Sequence, residues 1–211
     1  MQRLVFWRHG QTDQNLARRI QGASDVPLNA TGIAQAQFVA PYIAAMKPTK
    51  IYSSHLARAR STARVLGDLV GVEPMIDPRL RERSYGIWEG MTSEEIRAQW
   101  PEDWQVWRQG KDPSDGIGVE SRTECGARFS TAVREAFTQS REDDVIVFVA
   151  HGGCILTGII ALLGLDPSRW NVMNGMDNCH WALMVPRPEA EIPWRLRSYN
   201  RIYGDGEFGD L

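Results

Sequence analysis

The sequence predicts a three-layer α/β fold, a mostly parallel central sheet with helices on both faces. Three observations lead there. Two runs, Leu4–Trp7 and Val145–Ala150, are apolar without alternation, as strands covered on both faces are. Strand-like and helix-like segments alternate along the chain, the order of β-α units. Polar capping signals stand where helical periodicity begins, in Thr92-x-x-Glu95 and Ser121-x-x-Glu124.

In chain order, a strand over Arg3–Trp7 runs into Arg8-His9-Gly10. The apolar spacing then predicts a helix over Thr31–Met46, which Pro41 must kink or split. A strand at Lys50–Ser53 feeds a helix over His55–Val70, and Pro74–Asp77 forms a further strand. Helices over Thr92–Trp100 and Arg122–Gln139 open on their capping boxes. The greasiest strand, Val145–Ala150, leads through His151-Gly152 into a helix over Gly153–Leu163, and strands at His180–Val185 and Arg195–Tyr199 close the series. Trp100, Trp104 and Trp107 recur at helical spacing near Trp88. They read as packing residues of a small helical insertion over about 91–120, or more sharply as a lid over substrate. With no internal repeat and no low-complexity linker, residues 1–211 read as a single domain.

Composition narrows the function. With 43% hydrophobic residues, 24% charged and a net charge of −2, the chain reads as ordinary globular protein; no basic run points to nucleic acid. Cys125, Cys154 and Cys179 are three widely spaced residues without a C-x-x-C pair, which predicts buried thiols in a reducing cytoplasm. No signal peptide precedes the first strand, and the long apolar stretch Val145–Leu165 is interrupted by His151-Gly152-Gly153, so no membrane span is expected.

Chemistry emerges when the strand ends are read together. In open α/β sheets ligands bind beyond the carboxyl ends of the strands, where helix N-termini present unpaired N–H groups. Arg8 and His9 follow the first strand and His151 follows the apolar one, so the two histidines occupy equivalent places. Arg58 falls in the first turn of the helix after Ile51–Ser53, where a cation opposes the helix dipole and a bound anion would relieve it. Arg60 and Arg64 read as solvated charges. Two arginines, two histidines and helix N-termini make an anion clamp of phosphate size. A proton donor is still needed. Glu82 is the candidate, because a carboxyl group that is buried or beside phosphate can serve as a general acid near neutral pH. Glu89 competes with it, or is a surface charge. His9 and His151 have no H-E-x-x-H pattern or carboxylate cluster beside them, so no metal and no cofactor are expected. His55 and His180 read as structural.

Four motifs in this order resemble the histidine phosphatase superfamily, in its phosphoglycerate-mutase-like branch. R-H-G-x-T-x-x-N stands as Arg8 to Asn15, and S-x-L-x-R-A-x-x-T-A as Ser54 to Ala63. L-x-E-x-x-x-G-x-W-E-G stands as Leu80 to Gly90, and H-G-G as His151 to Gly153. The likeness spans Leu4 to about Leu163.

The resemblance implies a mechanism. His9 attacks phosphorus and becomes phosphohistidine, Arg8, Arg58 and His151 hold the phosphoryl oxygens, and Glu82 protonates the leaving oxygen and then activates water. Gly10 orients the His9 ring, and the resemblance places Asn15, Gln21, Gly22, Tyr85, Arg108 and Gly152 around phosphate or substrate. The expected activity is metal-independent hydrolysis of a small phosphomonoester. The same pocket in a phosphoglycerate mutase, or in a non-catalytic binder of phosphorylated ligands, remains an alternative. The interval from Glu82 to His151 is short for a mutase, and Trp107-Arg108-Gln109 stands where mutases resemble W-R-R, although Tyr85 matches them. Gly175-Met176-x-Asn178-x-x-Trp181 and Trp194-Arg195-Leu196 look similar to actinobacterial glucosyl-3-phosphoglycerate phosphatases, which implies a glycosylated phosphoacid. The partner expected is this small molecule, with neither nucleic acid nor membrane, and the state is left open between monomer and homodimer.

Overall fold

The computed structural model describes residues 2–170 and 172–202; the end of the chain assigned above to the same domain lies outside them. In chain order the elements are β1 (Arg3–Arg8), α1 (Asp13–Leu16), α2 (Ala30–Ala44), β2 (Lys50–Ser53), α3 (Ala57–Val70), β3 (Met75–Ile76), α4 (Ser93–Gln99), α5 (Pro101–Arg108), α6 (Arg122–Thr138), β4 (Val145–Ala150), α7 (Gly152–Leu162), β5 (Trp181–Pro186) and β6 (Trp194–Arg201).

The strands form one sheet in the order β3-β2-β4-β1-β5-β6. β1, β4, β2 and β3 are mutually parallel, each reached through helical crossovers. β5 runs antiparallel to both β1 and β6, and the short connection from Arg187 to Pro193 makes the β5–β6 pair a hairpin. The expected α/β class with a mostly parallel sheet is the one found.

Strand alternation explains the three layers. β1 sends Leu4 and Phe6 to one face, where they meet Phe129 and Val133 of α6 and Ile155 and Ile159 of α7. It sends Val5 and Trp7 to the other, against Val39 and Ile43 of α2 and Ala63 and Leu66 of α3. A third, smaller core joins Trp88, Ile96 and Ile117, with Tyr85, Trp100, Trp104 and Trp107 packed against it.

Several elements differ from expectation. Pro41 does not split α2: it lies close to the helix end and on the exposed side, while Ala36, Val39, Ala40 and Ile43 anchor the opposite face. The helix after β2 begins at Ala57, because Ser54 and Leu56 form its lead-in turn. The tryptophan segment is two helices; Trp100 closes α4 and precedes Pro101, which starts α5. The single turn α1 was not anticipated; its Thr12 and Asn15 form a reciprocal cap.

The α6–α7 contact is the tightest test of this packing. A Cβ at Gly158 would lie 2.1 Å from Phe129 Cδ1, so glycine lets the two helices close. Gly158→Ala should therefore destabilise the protein by about 1–3 kcal/mol, read as a lowered urea midpoint. An unchanged midpoint would mean that α6 and α7 part without cost.

Candidate active site

β1 and β4 end in register, Arg8 opposite Ala150, and the His9 N–H donates to the Ala150 carbonyl at 3.0 Å. His9 and His151 therefore leave the sheet side by side, with ring centroids 5.0 Å apart. The His9 ring is 2% exposed, and its Nδ1 lies 2.7 Å from the Gly10 carbonyl. A carbonyl only accepts, so the proton is on Nδ1 and Nε2 keeps its lone pair. Burial, then the charges of Arg8 and Arg58, hold the His9 pKa well below the ordinary imidazole value. The ring is neutral near pH 7.

Arg58 is wholly buried. Its Nη1 donates to the Ser24 carbonyl at 2.6 Å, its Nη2 to the Gly22 carbonyl at 2.7 Å, and its Nε to His151 Nδ1 at 3.1 Å. His151 Nδ1 thus accepts, and Nε2–H donates to Ser54 Oγ at 2.8 Å. Burial and the nearby Arg58 keep this ring neutral too. The Gly22 turn that meets Arg58 has φ +56°, and a Cβ there would run into the Glu89 carboxylate. Glu89 is half-buried and engaged by backbone groups. It accepts from the N–H groups of Ala23 and Tyr85, both at 3.0 Å, and fastens two loops together.

Glu82 is 9% exposed and reaches the first turn of α7. Its Oε2 accepts from Gly153 N–H at 3.0 Å, and its Oε1 from Cys154 N–H at 2.9 Å and Arg83 N–H at 2.8 Å. The flanking arginines point elsewhere: Arg81 pairs with Glu120 at 2.9 Å, and Arg83 binds Asp112 and the Glu120 carbonyl. Arg128 of α6 supports the loop by donating to the carbonyls of Arg79, Arg81 and Glu82.

Two adjoining cavities share Arg8, Glu82, Tyr85 and Trp107. The inner one, about 290 Å³, is lined also by His9, Asn15, Gln21, Gly22 and Arg58. The outer one, about 550 Å³, adds Arg83, Arg108, Arg122, Gly152 and Gly153. Gly10 packs beside His9 and donates its N–H to Thr62 Oγ1 at 3.1 Å, so only its carbonyl serves the ring. His151 lines neither cavity and stands behind Arg58 and His9. Asn15 and Gln21 both engage Thr12, and Asn15 Oδ1 also accepts from Asn178, which donates to the His9 carbonyl as well. Arg8 donates from Nη1 to the Met176 carbonyl, while its buried Nε has no partner. Arg60 and Arg64 are exposed, as read from the sequence. Trp104 and Trp107 both pack and line the cavities.

Sequence reasoning missed Ser54, Asn178, Arg83 and Arg122. The first two lay inside quoted motifs without being given a role. Arg83 and Arg122 carried no signal beyond their charge. Among the described residues no cluster of three or more His, Cys, Asp or Glu could hold a metal ion, and no helix is long and apolar enough to cross a membrane. All three cysteines are buried and free.

The model of the histidine phosphatase superfamily (branch 1) matches residues 4–201. The glucosyl-3-phosphoglycerate phosphatase of Mycolicibacterium vanbaalenii is 39% identical over 95% of this chain and 95% of its own length. A probable phosphoglycerate mutase of Yersinia pestis is 35% identical over 82% of each. The solved vanadate complex of a mycobacterial glucosyl-3-phosphoglycerate phosphatase superposes with a TM-score of 0.87 at 37% identity, over 95% of this chain and all of that one.

The two buried neutral imidazoles predict how stability follows pH. Their folded pKa values lie below about 6.5, so just under that pH the unfolded chain binds protons that the folded chain refuses. Stability therefore rises with pH up to about 6.5 and is lost below it, with a limiting slope of about 2.7 kcal/mol per pH unit for two protons. Urea midpoints between about pH 7.5 and 5.5 should show this loss, and His151→Asn should roughly halve the slope. A flat profile would mean that the rings protonate in place.

Proposed function

The chain belongs to the histidine phosphatase superfamily and is a phosphatase, and from that premise we propose that it hydrolyses a phosphomonoester through a phosphohistidine on His9. One observation carries the reading: a lone pair on His9 Nε2, its tautomer set by the Gly10 carbonyl, in a cavity shared with Arg8, Arg58 and Glu82.

His9 Nε2 forms a bond to phosphorus as the ester P–O bond breaks. The N–H groups of Arg8 and Arg58 that face the cavity take up charge on the equatorial oxygens, and the N–H of Gly152, an orphan donor at the start of α7, adds to them. His151 anchors Arg58 through Nδ1 and is itself fixed by Ser54 at Nε2, so it steadies the clamp from behind. Asn15, Gln21 and the Gly22 turn shape the same wall. Glu82 gives its proton to the leaving oxygen, then takes one from the water that splits the P–N bond. These fixed cations supply the positive charge, so the reaction needs no metal ion. The enzyme works in the cytoplasm, where the free thiols of Cys125, Cys154 and Cys179 stay reduced.

The substrate we propose is a glycosylated phosphoglycerate. Two features support it: the likeness to the phosphatases named for that ester, and an outer cavity of about 550 Å³, lined by Tyr85, Trp107 and Arg108, beyond the phosphate-sized one.

His9→Ala should lower kcat more than about a thousandfold and leave no acid-quenched phosphohistidine, whereas the parent should trap one. Phosphate release from glucosyl-3-phosphoglycerate, 3-phosphoglycerate and α-ribazole phosphate should favour the first, persist with a chelator and be inhibited by vanadate. A coupled assay with 2,3-bisphosphoglycerate checks the alternative: mutase turnover above the best hydrolysis rate would refute the assignment.

A further inference from the structure

We propose that Arg122 binds a carboxylate of the substrate and selects phosphorylated hydroxy acids over phosphorylated alcohols. The inference rests on the phosphatase reading for its reaction and adds to it the residue that recognises the acid.

The outer cavity is charged out of balance. Four arginines line it, Arg8, Arg83, Arg108 and Arg122, against one lining carboxylate, Glu82, which is committed to the first turn of α7. Each cation differs in how far it is satisfied. Arg83 binds Asp112 and the Glu120 carbonyl. Arg8, whose Nε is likewise buried without a partner, reaches the Met176 carbonyl and faces the inner cavity, where the phosphoryl group is proposed to bind. Arg108 is exposed at the end of α5, free to stay hydrated.

Arg122 is largely buried and only loosely paired. Its side chain is only 13% exposed, and its Nε is buried with no hydrogen-bond partner. The nearest carboxylate oxygen, Asp112 Oδ1, is 3.9 Å away and already taken by Arg83, while Asp112 Oδ2 accepts from the Arg122 backbone N–H. The guanidinium lies 5.5 Å from the centre of the Trp107 ring, which Arg83 approaches at 4.9 Å. Trp107 thus flanks the guanidinium without accepting its N–H groups. A buried guanidinium Nε–H without an acceptor is costly and is satisfied by an anion with two in-plane oxygens. A carboxylate has that shape. Because Arg8, Glu82, Tyr85 and Trp107 border both cavities, one small molecule can place its phosphoryl group at His9 and its carboxylate at Arg122.

The test compares two esters that differ in this group, 3-phosphoglycerate and glycerol 3-phosphate. Arg122→Gln should raise KM for 3-phosphoglycerate by about tenfold to a hundredfold and change kcat little, since the carboxylate is held alike in ground and transition states. Its effect on glycerol 3-phosphate should be smaller by at least about tenfold. Arg122→Lys, which keeps the charge but loses the flat fork, should fall between, and provides a folded comparison should the glutamine variant melt early. Equal losses on both esters, or no loss on either, would overturn the assignment. Calorimetric binding of 3-phosphoglycerate to the parent and to Arg122→Gln separates this inference from the reading beneath it. A parent that binds the acid and hydrolyses no monoester defeats the phosphatase reading, yet a weaker Kd in the variant still supports Arg122.

Discussion

Arg58 lies buried at the positive end of α3, and the surroundings of the site follow from what such a cation demands. Desolvation works against its charge, yet a guanidinium does not deprotonate in a protein, so its N–H groups must find acceptors. They find the carbonyls of Gly22 and Ser24 and the Nδ1 of His151. Each of these bonds fixes something else: the loop between α1 and α2, or the ring at the end of β4. Asp25 in the same loop caps α3 by accepting from Ala57 N–H at 2.6 Å, which supplies negative charge where the helix needs it. Losing a partner from so buried a charge network costs about 3–5 kcal/mol. The loop is therefore held as firmly as the helix, although it has little regular structure of its own.

The rest of the charge is divided by distance from His9. At His9, burial and cations act together to keep an imidazole unprotonated, so that electrostatics preserves its lone pair. Further out, around Trp107, cations are stacked and partly neutralised by Asp112 and Glu120, so that electrostatics waits for a ligand. Glu82 sits between the two regions, tied to the backbone of α7 and braced from behind by Arg128. The Glu82 carboxylate is thus aimed by main-chain groups, which do not titrate.

Much of this was legible in the sequence, and for definite reasons. Leu4–Trp7 and Val145–Ala150 could only be central strands, and two such strands ending in histidine place the histidines together. Arg58 was legible as a conflict between a cation and a helix dipole. What escaped notice depended on contacts made at long range. Nothing near Glu89 shows that its carboxylate closes the Gly22 turn, and nothing near Ser54 shows that it meets His151. Arg122 reads locally as the first residue of a capped helix; only the approach of α5, with Trp107, turns it into the wall of a cavity. The helical character of the tryptophan segment was legible from its spacing, but the break that starts α5 was not, because Pro101 suggests a stop when after Trp100 it is a start.

The register between β1 and β4 has one more consequence. Arg8 faces Ala150, so the two catalytic-site rings leave neighbouring strands one step later, and their 5.0 Å separation is close to the spacing of about 4.7–4.9 Å between hydrogen-bonded strands. The ladder brings the two rings side by side, and the bonds from Arg58, Ser54 and the Gly10 carbonyl then orient them. Variation in the loops after β3 and in the tryptophan helices can reshape the outer cavity without touching the ladder. The two histidines are thus placed by the gauge of the backbone, whereas the outer cavity is shaped by loops and helices beyond the sheet.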